Sequence, residues 1–446
     1  MSYPVMKQNI ATKLNLITEK ARQDKELKFT SLIHHISNLE HLLACFKDLK
    51  QNKVAGIDYR TKESYSKEEI KKVLTQVSKK IKQRTYRPQP VKRIYINKEN
   101  NKQRPLGLPT VIDKVVQSAI KNILERIYEP NFLNCSYGYR PNRNAHQALK
   151  AINHLIMQKK INWVIDADIK GFFDNIDHYT MMDCLSQRIK DPRFKSLIFK
   201  FLKAGIMEQG NHQSTEQGMP QGGIISPILA NIYLHYVLDL WFKVIAKKQL
   251  NGEAKLIRYA DDFIIGLQHK GQAEILLEML KQRLAKFGLS LSEDKTQIIE
   301  FGRFAKENHQ KRKQDKPKTF DFLGLTHYCA TTRNGRFKLG VKTSHKRMRR
   351  NAKAMNTYLK KVRNLFKQEQ IWKQLIVKLN GHYNYYGISG NFESINQFYR
   401  KTIFLTYKWF NRRSQKQSFN WISFFRYLNQ YPLPKPKLMF QIYNTW

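Results

Sequence analysis

The chain has 446 residues, of which 41% are hydrophobic and 12% aromatic, which excludes a disordered chain and allows a core of globular size. Its charge is far from balanced, since 80 Lys and Arg against 35 Asp and Glu give a formal net charge of +45. Because a compact chain with this charge repels itself, we expect a polyanionic partner: nucleic acid first, with a polybasic membrane-surface role as the less favoured alternative.

The start of the chain and its cysteines indicate the cellular compartment that we expect for the protein. The first residues contain no apolar segment of signal-peptide length, and no run of about 18 apolar residues marks a membrane span. The four cysteines lie far apart without a Cys-x-x-Cys pair, which predicts reduced thiols and neither a disulfide framework nor a zinc site. We therefore expect a soluble, intracellular protein without membrane contact.

The first predicted elements are a helix and a basic hairpin. Apolar residues recur at helical spacing between Lys28 and Lys50, which predicts one amphipathic helix. The alternating run from Val91 to Ile96, a polar turn and a second arm predict a hairpin rich in Lys and Arg. Such a hairpin is suited to lie over phosphates.

A helix and an acidic strand follow. The segment "DKVVQSAIKNILERIYEP" predicts a helix that Pro130 ends. The apolar run from Trp163 to Ile169 has strand character but is interrupted by Asp166 and Asp168. Because side chains alternate along a strand, both acids are expected on the same face.

The next segments complete the predicted central region. The loop "GMPQGG" leads into a helix whose expected N-cap is Ser226, with Pro227 at the first helical position. "LIRYADDFIIGL" predicts strand, tight turn and strand, followed by a helix from Ala273 to Phe287 and a short strand near "TQIIEFG". "AKENHQKRKQDKPK" is predicted to be a loop, and a domain boundary is expected near residue 330.

The segment beyond that boundary is predicted to be helical, aromatic and strongly basic. Met348, Met355 and Leu359 belong to one apolar helical stripe, and basic residues occupy the other faces. Any single lysine there is as well explained by a solvated surface, but together the cations favour contact with RNA phosphates. The predicted RNA-binding residues are Lys346, Arg349, Arg350 and Lys353.

The adjacent carboxylates Asp261 and Asp262 are the candidate catalytic residues. Both can approach one point only at a turn, because successive side chains on a straight strand face opposite ways. If the strand that ends in Asp168 lies beside this hairpin, the carboxylates converge, and an oxygen-only set favours Mg²⁺. Two such ions could activate a primer hydroxyl and stabilise a pyrophosphate leaving group, which indicates a template-dependent polymerase.

Several ordered motifs resemble one known family. "RPLGLPTVIDKVVQSAI", "SYGYRPNRNAHQAL", "DIKGFFDNIDH", "GMPQGGIISPILANIYL", "YADD", "GLSLSEDKT" and "FDFLGL" are similar, in this order, to the blocks of reverse transcriptases encoded by group II introns. "KTSHKRMRR", "LNGHYNYYG" and "NRRSQK" resemble the thumb, or maturase, region of that family. The likeness extends from about Lys28 to the C-terminus.

The resemblance implies an α+β right-hand polymerase. Fingers and a palm with an antiparallel sheet would occupy residues 49–329, after a helical extension at 1–48, and an α-helical basic thumb would occupy 330–446. It implies RNA-directed DNA synthesis from dNTPs with two Mg²⁺ ions, an RNA template, and a DNA primer or target. It also implies a maturase that assists splicing of its intron RNA, acting in a bacterial cytoplasm or an organelle.

Residue roles follow from the matched motifs. Asp168 and Asp261 would be the principal metal ligands, with Asp262 beside them. Lys295 falls in the block that supplies a cation near the leaving pyrophosphate, where it could act as a general acid.

The same motifs imply a nucleotide pocket. Lys98 and Arg104 would hold the incoming triphosphate, and Gln221 would line the pocket. One of Phe172 and Phe173 would be the steric gate that selects deoxynucleotides by clashing with a ribose 2′-hydroxyl.

Five other polar residues have roles that stay open or local. Asp166 could be a third metal ligand, although a local hydrogen bond or a solvent-facing position is favoured, and Asp174 and Asp177 are expected to cap or turn the chain. Arg140 and Arg143 could brace the fingers or touch the template.

Two alternatives to an active intron maturase remain at this point. One is a domesticated relative that copies a dedicated noncoding RNA in phage defence or beside a CRISPR system. The other is an RNA-binding splicing factor whose polymerase activity is dispensable. We also expect no C-terminal endonuclease module, because no segment rich in His, Asn and Cys follows the thumb-like region.

Overall fold

A computed structural model describes residues 8–97, 103–413 and 418–443, which form helices and mostly antiparallel strands. The α+β class is therefore confirmed. The helices within these ranges are α1 (Gln8–Gln23), α2 (Ile33–Ile36), α3 (Leu39–Asp48), α4 (Lys67–Lys82), α5 (Val111–Tyr128), α6 (Ala145–Gln158), α7 (His178–Ser186), α8 (Pro192–Leu202), α9 (Ser226–Leu234), α10 (Leu240–Val244), α11 (Lys270–Ala285), α12 (Ala305–Lys311), α13 (His345–Val362), α14 (Gln368–Tyr386), α15 (Phe392–Phe410) and α16 (Trp421–Gln430). The strands are β1 (Val91–Asn97), β2 (Gln103–Leu108), β3 (Trp163–Asp168), β4 (Ile206–Glu208), β5 (Asn211–Gln213), β6 (Ala254–Tyr259), β7 (Asp262–Leu267), β8 (Gln297–Glu300), β9 (Phe320–Phe322), β10 (Leu325–Thr331) and β11 (Phe337–Thr343).

Three sheets organise the described strands. The first has the order β2-β1-β4-β5, with the predicted basic hairpin β1–β2 antiparallel and β1 parallel to β4. The second, which we call the carboxylate sheet, is antiparallel with the order β6-β7-β3-β8. The third has the order β11-β10-β9 and precedes the basic helix α13.

Two hydrophobic cores lie on opposite faces of the carboxylate sheet. Ile165, Ala167 and Phe263 point into a large core shared with the N-terminal helices and α9. Val164 and Ile264, the alternate positions on β3 and β7, point into a second core with α6, the third sheet and α13–α15. This alternation follows from the pleat of a strand and fixes which carboxylates share a face.

The prediction of one helix from Lys28 to Lys50 is wrong. The chain forms α2 and α3, which Ser37 and Asn38 separate. The side chain of Asn38 accepts a hydrogen bond from the backbone N–H of His41, and so it starts a new helix where periodicity alone would continue the old one. The described part of the predicted extension, residues 8–48, packs into the large core.

Two further segments differ from the predictions. The segment predicted as a loop after residue 304 begins with α12, because Asn308 and Arg312 both bond the carboxylate of Glu300. The expected boundary near residue 330 falls inside β10, and the third sheet occupies Phe320 to Thr343 where helix was expected.

The helix that follows the glycine-rich loop begins at Ser226, but Ser226 is not its N-cap. Its hydroxyl donates to the carbonyl of Pro220 in the preceding loop, and Ile225 occupies the cap position. By length and composition the helical stretch Ser226–Gln249 could cross a membrane, yet 72% of its apolar window is buried inside the protein. Burial in the large core accounts for that apolar character.

Candidate active site

The register of the carboxylate sheet brings the predicted acids together. Asp168 on β3 lies directly opposite Asp262 on β7, and Asp166 lies two residues earlier on the same face. Tyr259 pairs with Asp262, so Ala260 and Asp261 form the tip of the β6–β7 hairpin. Asp168, Asp261 and Asp262 are therefore neighbours at the end of the sheet where β3 stops and β7 starts.

The pKa values of Asp166, Asp261 and Asp262 are raised, so these three carboxyl groups are hard to ionise. Burial and the neighbouring charges of Asp166, Asp168 and Asp261 raise the pKa of Asp262 to about 8. Burial raises the pKa of Asp261 as well, and the pKa of Asp166 is raised to about 6 for the same reason. A site that concentrates negative charge in this way is stabilised by a bound cation.

The donor set fits a hard divalent ion. Asp168, Asp261 and Asp262 offer only carboxylate oxygens, the ligands that Mg²⁺ prefers. Within the described ranges no three His, Cys, Asp or Glu side chains already form a metal-binding group.

Lys295 lies against Asp168. Its ammonium donates to the carboxylate of Asp168, which raises the pKa of Lys295. The backbone N–H of Ser292 bonds the carbonyl of Asp168, and the N–H of Lys295 bonds the carbonyl of Ser292. The turn from Ser292 to Lys295 is thereby fixed to the end of β3, and the lysine reaches the acids from it.

The structure also joins two predicted nucleotide-binding residues. Arg104 on β2 donates from Nε to Oε1 of Gln221 at 2.6 Å. The backbone N–H of Gly107, on the same strand, donates to the carbonyl of Gln221. Gly222 has φ +119°, and a Cβ at this position would clash with the carbonyl of Gly107. The basic hairpin and the glycine-rich loop therefore form one surface. Lys98 lies outside the described residues.

The two candidate gate residues have different surroundings. Phe172 is 2% exposed and packs edge-on against Tyr233 in the large core. Phe173 is 8% exposed, and its carbonyl accepts from the N–H of Met219 in the loop that leads to Gln221. Of the two, Phe173 lies beside the loop that carries the predicted pocket residue.

The five residues with open or local roles are mostly structural. Arg140 is buried and bonds Glu129 together with the carbonyls of the loop before it, and Arg143 bonds the same loop. Both arginines thus brace the chain. Asp166 accepts from Gln297, and Asp177 caps α7 by accepting from the N–H of Thr180.

The predicted RNA-binding cations lie on one surface helix. Lys346, Arg349, Arg350 and Lys353 are exposed on α13, while Met355 and Leu359 are buried in the second core. The helix therefore has the amphipathic character that the sequence predicts. It begins directly after the third sheet, with Ser344 as its N-cap.

One buried polar cluster beneath the hairpin was not predicted from the sequence. Arg258, inside β6, is fully buried with Asp239 and Asn231. The available signal was an arginine at a position whose strand alternation points into the core, next to the motif "YADD".

Replacing Asp262 by Asn is expected to stabilise the metal-free fold by about 1 kcal/mol at pH 8, because the amide removes a charge that is costly to bury. Since the folded-state pKa is raised from 3.8 to about 8, the charged form costs stability progressively as the pH rises through this interval. Urea unfolding in EDTA should therefore show a larger gain at pH 8 than at pH 5. Asp183→Asn, at an exposed position of α7, is the control, and equal or lower stability of Asp262→Asn at pH 8 would contradict the electrostatic picture.

Comparison with known proteins identifies the class and then the family. A family model described as reverse transcriptase (RNA-dependent DNA polymerase) matches residues 96–327, a range that contains the whole carboxylate sheet. The protein is thus a reverse transcriptase by class.

Several relatives have names that refer to introns. The group II intron-encoded protein LtrA of Lactococcus lactis subsp. cremoris is 32% identical over 471 aligned residues, which cover 86% of this chain and 75% of the relative. YkfC of Escherichia coli (strain K12) is 35% identical over 48% of this chain and 64% of its own length. Nuclear intron maturase 4, mitochondrial, of Arabidopsis thaliana is 30% identical over 29% and 16%, respectively. The chain therefore belongs to the group II intron-encoded reverse transcriptases and maturases, and the predicted resemblance and function are confirmed.

Proposed function

We propose that this reverse transcriptase copies a group II intron RNA from a DNA primer at a target site and, as a maturase, assists the splicing of that RNA. The observation that carries the proposal is the cross-strand pairing of Asp168 with Asp262, with Asp261 at the adjoining hairpin tip. That arrangement supplies the carboxylates needed to hold metal ions at one end of a sheet.

In this proposal Asp168 and Asp261 are the principal ligands of two Mg²⁺ ions, and Asp262 lies beside them. The bound ions supply activation of the primer 3′-hydroxyl and charge stabilisation of the leaving pyrophosphate. The protein's own residues would orient the reactants and balance the charge of the phosphates. Lys295, which pairs with Asp168, would be placed near the leaving pyrophosphate, where it could neutralise or protonate it.

The nucleotide would be bound between the basic hairpin and the glycine-rich loop. Arg104 and Lys98 would contact the triphosphate, and Gln221, bonded to Arg104, would line the pocket. We assign the steric gate to Phe173, because it adjoins the Gln221 loop whereas Phe172 packs in the core.

The right-hand architecture maps onto the described elements in the same proposal. The basic hairpin with the N-terminal helices would be the fingers, and the carboxylate sheet with α9 the palm. Helices α13–α16 would be the thumb, with α13 on RNA phosphates through its four exposed cations. The enzyme would act on nucleic acid in a bacterial cytoplasm or an organelle.

Replacing Phe173 by Ala is expected to raise the incorporation of ribonucleotides by about 10-fold or more, because a clash of a few kcal/mol with the 2′-hydroxyl is removed. The measurement is the ratio of kcat/KM for a dNTP and the matching rNTP on a primed RNA. Phe172→Ala is the control: it should lower stability by about 3–5 kcal/mol without changing the ratio. A changed ratio in Phe172→Ala alone would move the gate to that residue.

The test of the proposed function combines activity and RNA identity. Purified protein should extend a DNA primer on an RNA template with Mg²⁺, and the RNA that copurifies should be a group II intron. The names of the relatives favour this over a role in phage defence or a splicing factor without polymerase activity. Extension on RNA together with a copurified noncoding RNA of another kind would favour the domesticated role, and no extension would refute the polymerase.

A further inference from the structure

The hairpin tip that carries Asp261 has an unfavourable backbone conformation. Ala260 has φ +59°, in the left-handed region where a residue with a Cβ costs about 1–2 kcal/mol. A conformation of this kind persists only when surrounding contacts determine it, and it is often found at functional sites.

Arg258 supplies the principal contact. Its Nη1 donates to the carbonyl of Ala260 at 2.9 Å and to Oδ1 of Asn231 at 3.0 Å. Its Nε and Nη2 form a bidentate pair with Asp239 at 2.8 and 2.6 Å. Both charged side chains are 0% exposed, and these four hydrogen bonds hold the guanidinium in one position.

The cluster also ties the hairpin to a neighbouring segment. The backbone N–H of Arg258 bonds the carbonyl of Cys135, and its carbonyl accepts from the N–H of Tyr137. Asn231 donates to the carbonyl of Gly138 at 2.7 Å. A Cβ at Gly138 would lie 2.4 Å from the backbone nitrogen of Ala260, so only glycine allows this segment to pack directly under the tip.

Net stability alone does not explain the buried ion pair of Arg258 and Asp239. Burying an ion pair yields little net stability against an apolar replacement, because desolvation offsets the attraction. What a bidentate, fully buried pair does supply is a fixed geometry. Asp239 also ends a π-helical segment from His235, an irregularity that is frequent at functional sites.

We propose that Arg258 is a positioning residue for the reaction: through Asp239, Asn231 and the Ala260 carbonyl it holds the hairpin tip so that Asp261 and Asp262 face Asp168. The inference rests on the proposed function, which makes these acids the metal ligands. Arg258 touches neither substrate nor metal, and it acts only through the backbone of the turn.

The test compares two buried arginines. Arg258→Lys keeps the charge but loses the bidentate and carbonyl contacts. Arg188→Lys is the matched control, because Arg188 is 2% exposed and bonds Asn131 and the carbonyls of Asp24 and Leu27, away from the hairpin. Thermal unfolding of both variants shows whether they lose similar stability.

The decisive readout is metal affinity. Mn²⁺ binding is measured by electron paramagnetic resonance of the free ion, with a dideoxy-terminated primer on RNA and the next dNTP present. Arg258→Lys should weaken Mn²⁺ binding by about 10-fold and lower kcat by about 100-fold, with the KM for dNTP unchanged. Arg188→Lys should change neither quantity.

Asn231→Ala keeps the proposal testable if Arg258→Lys does not fold, because it removes one contact of Arg258 and leaves the ion pair intact. It should lower Mn²⁺ affinity and kcat in the same direction by smaller factors. Unchanged Mn²⁺ affinity in the folded variants, or equal losses in Arg188→Lys, would overturn the positioning role. If Asp261→Asn itself binds Mn²⁺ and polymerises normally, the assignment of Asp261 as a metal ligand fails instead, whereas no extension by the parent protein would refute the polymerase.

Discussion

Asp261→Asn is expected to reduce DNA synthesis on a primed RNA template by about 1,000-fold or more. The substitution keeps the size of the side chain but removes a negative oxygen ligand from the hairpin tip. Metal ions at such a site contribute several kcal/mol of transition-state stabilisation, and each 1.36 kcal/mol corresponds to about a factor of ten in rate. The measurement is single-turnover primer extension at saturating dNTP and Mg²⁺.

RNA binding separates this loss from misfolding. Asp261 lies in the carboxylate sheet and not on α13, so the affinity for RNA should change by less than about threefold, which is about 0.7 kcal/mol. Asp183→Asn, which removes one exposed acid from α7, should leave both activity and binding as in the parent. Retained synthesis by Asp261→Asn would exclude Asp261 as a metal ligand.

The affinity for RNA is expected to fall by about 1,000-fold or more between 50 and 200 mM salt. Each phosphate that a cation neutralises releases counterions, and the loss follows when roughly 6–10 phosphates are contacted. A net charge of +45 makes contacts on this scale available. The measurement is a filter-binding titration at several salt concentrations, with the slope of log affinity against log salt.

A four-residue charge variant locates the contacts. Replacing Lys346, Arg349, Arg350 and Lys353 by Gln should reduce the magnitude of the slope by about 3–4, roughly one for each lost contact. The control removes the same charge from four exposed lysines outside α13, namely Lys243, Lys247, Lys248 and Lys281. Equal slopes in the two variants would mean that binding responds to net charge alone, and a flat response in the parent would contradict phosphate binding.

The sequence predicted the acids of the site but not how they are held. Asp168, Asp261 and Asp262 stand out because charged residues interrupt apolar strands, which is a local signal. Their cross-strand register and the ion pair of Lys295 with Asp168 depend on contacts between distant segments. Periodicity carries no information about such partners.

The missed elements have the same cause. The third sheet was not predicted because β9 has only three residues, so the alternation of Phe320 and Phe322 is brief, and because Lys338 and Lys342 interrupt the apolar residues of β11. The division of the predicted N-terminal helix depends on one side-chain cap, that of Asn38. The role of Arg258 could not be predicted, because its partner Asp239 lies on another element and is not evident from the sequence.

In the proposed function the carboxylate sheet holds the catalytic metal ions. Anomalous X-ray diffraction from crystals with Mn²⁺, a terminated primer on RNA and an incoming dNTP tests it most directly. We predict anomalous peaks within about 2.2 Å of carboxylate oxygens of Asp168 and Asp261, near the dNTP phosphates. Ordered dNTP and primer with no peak at these residues, or with peaks bound only by other side chains, would contradict the account.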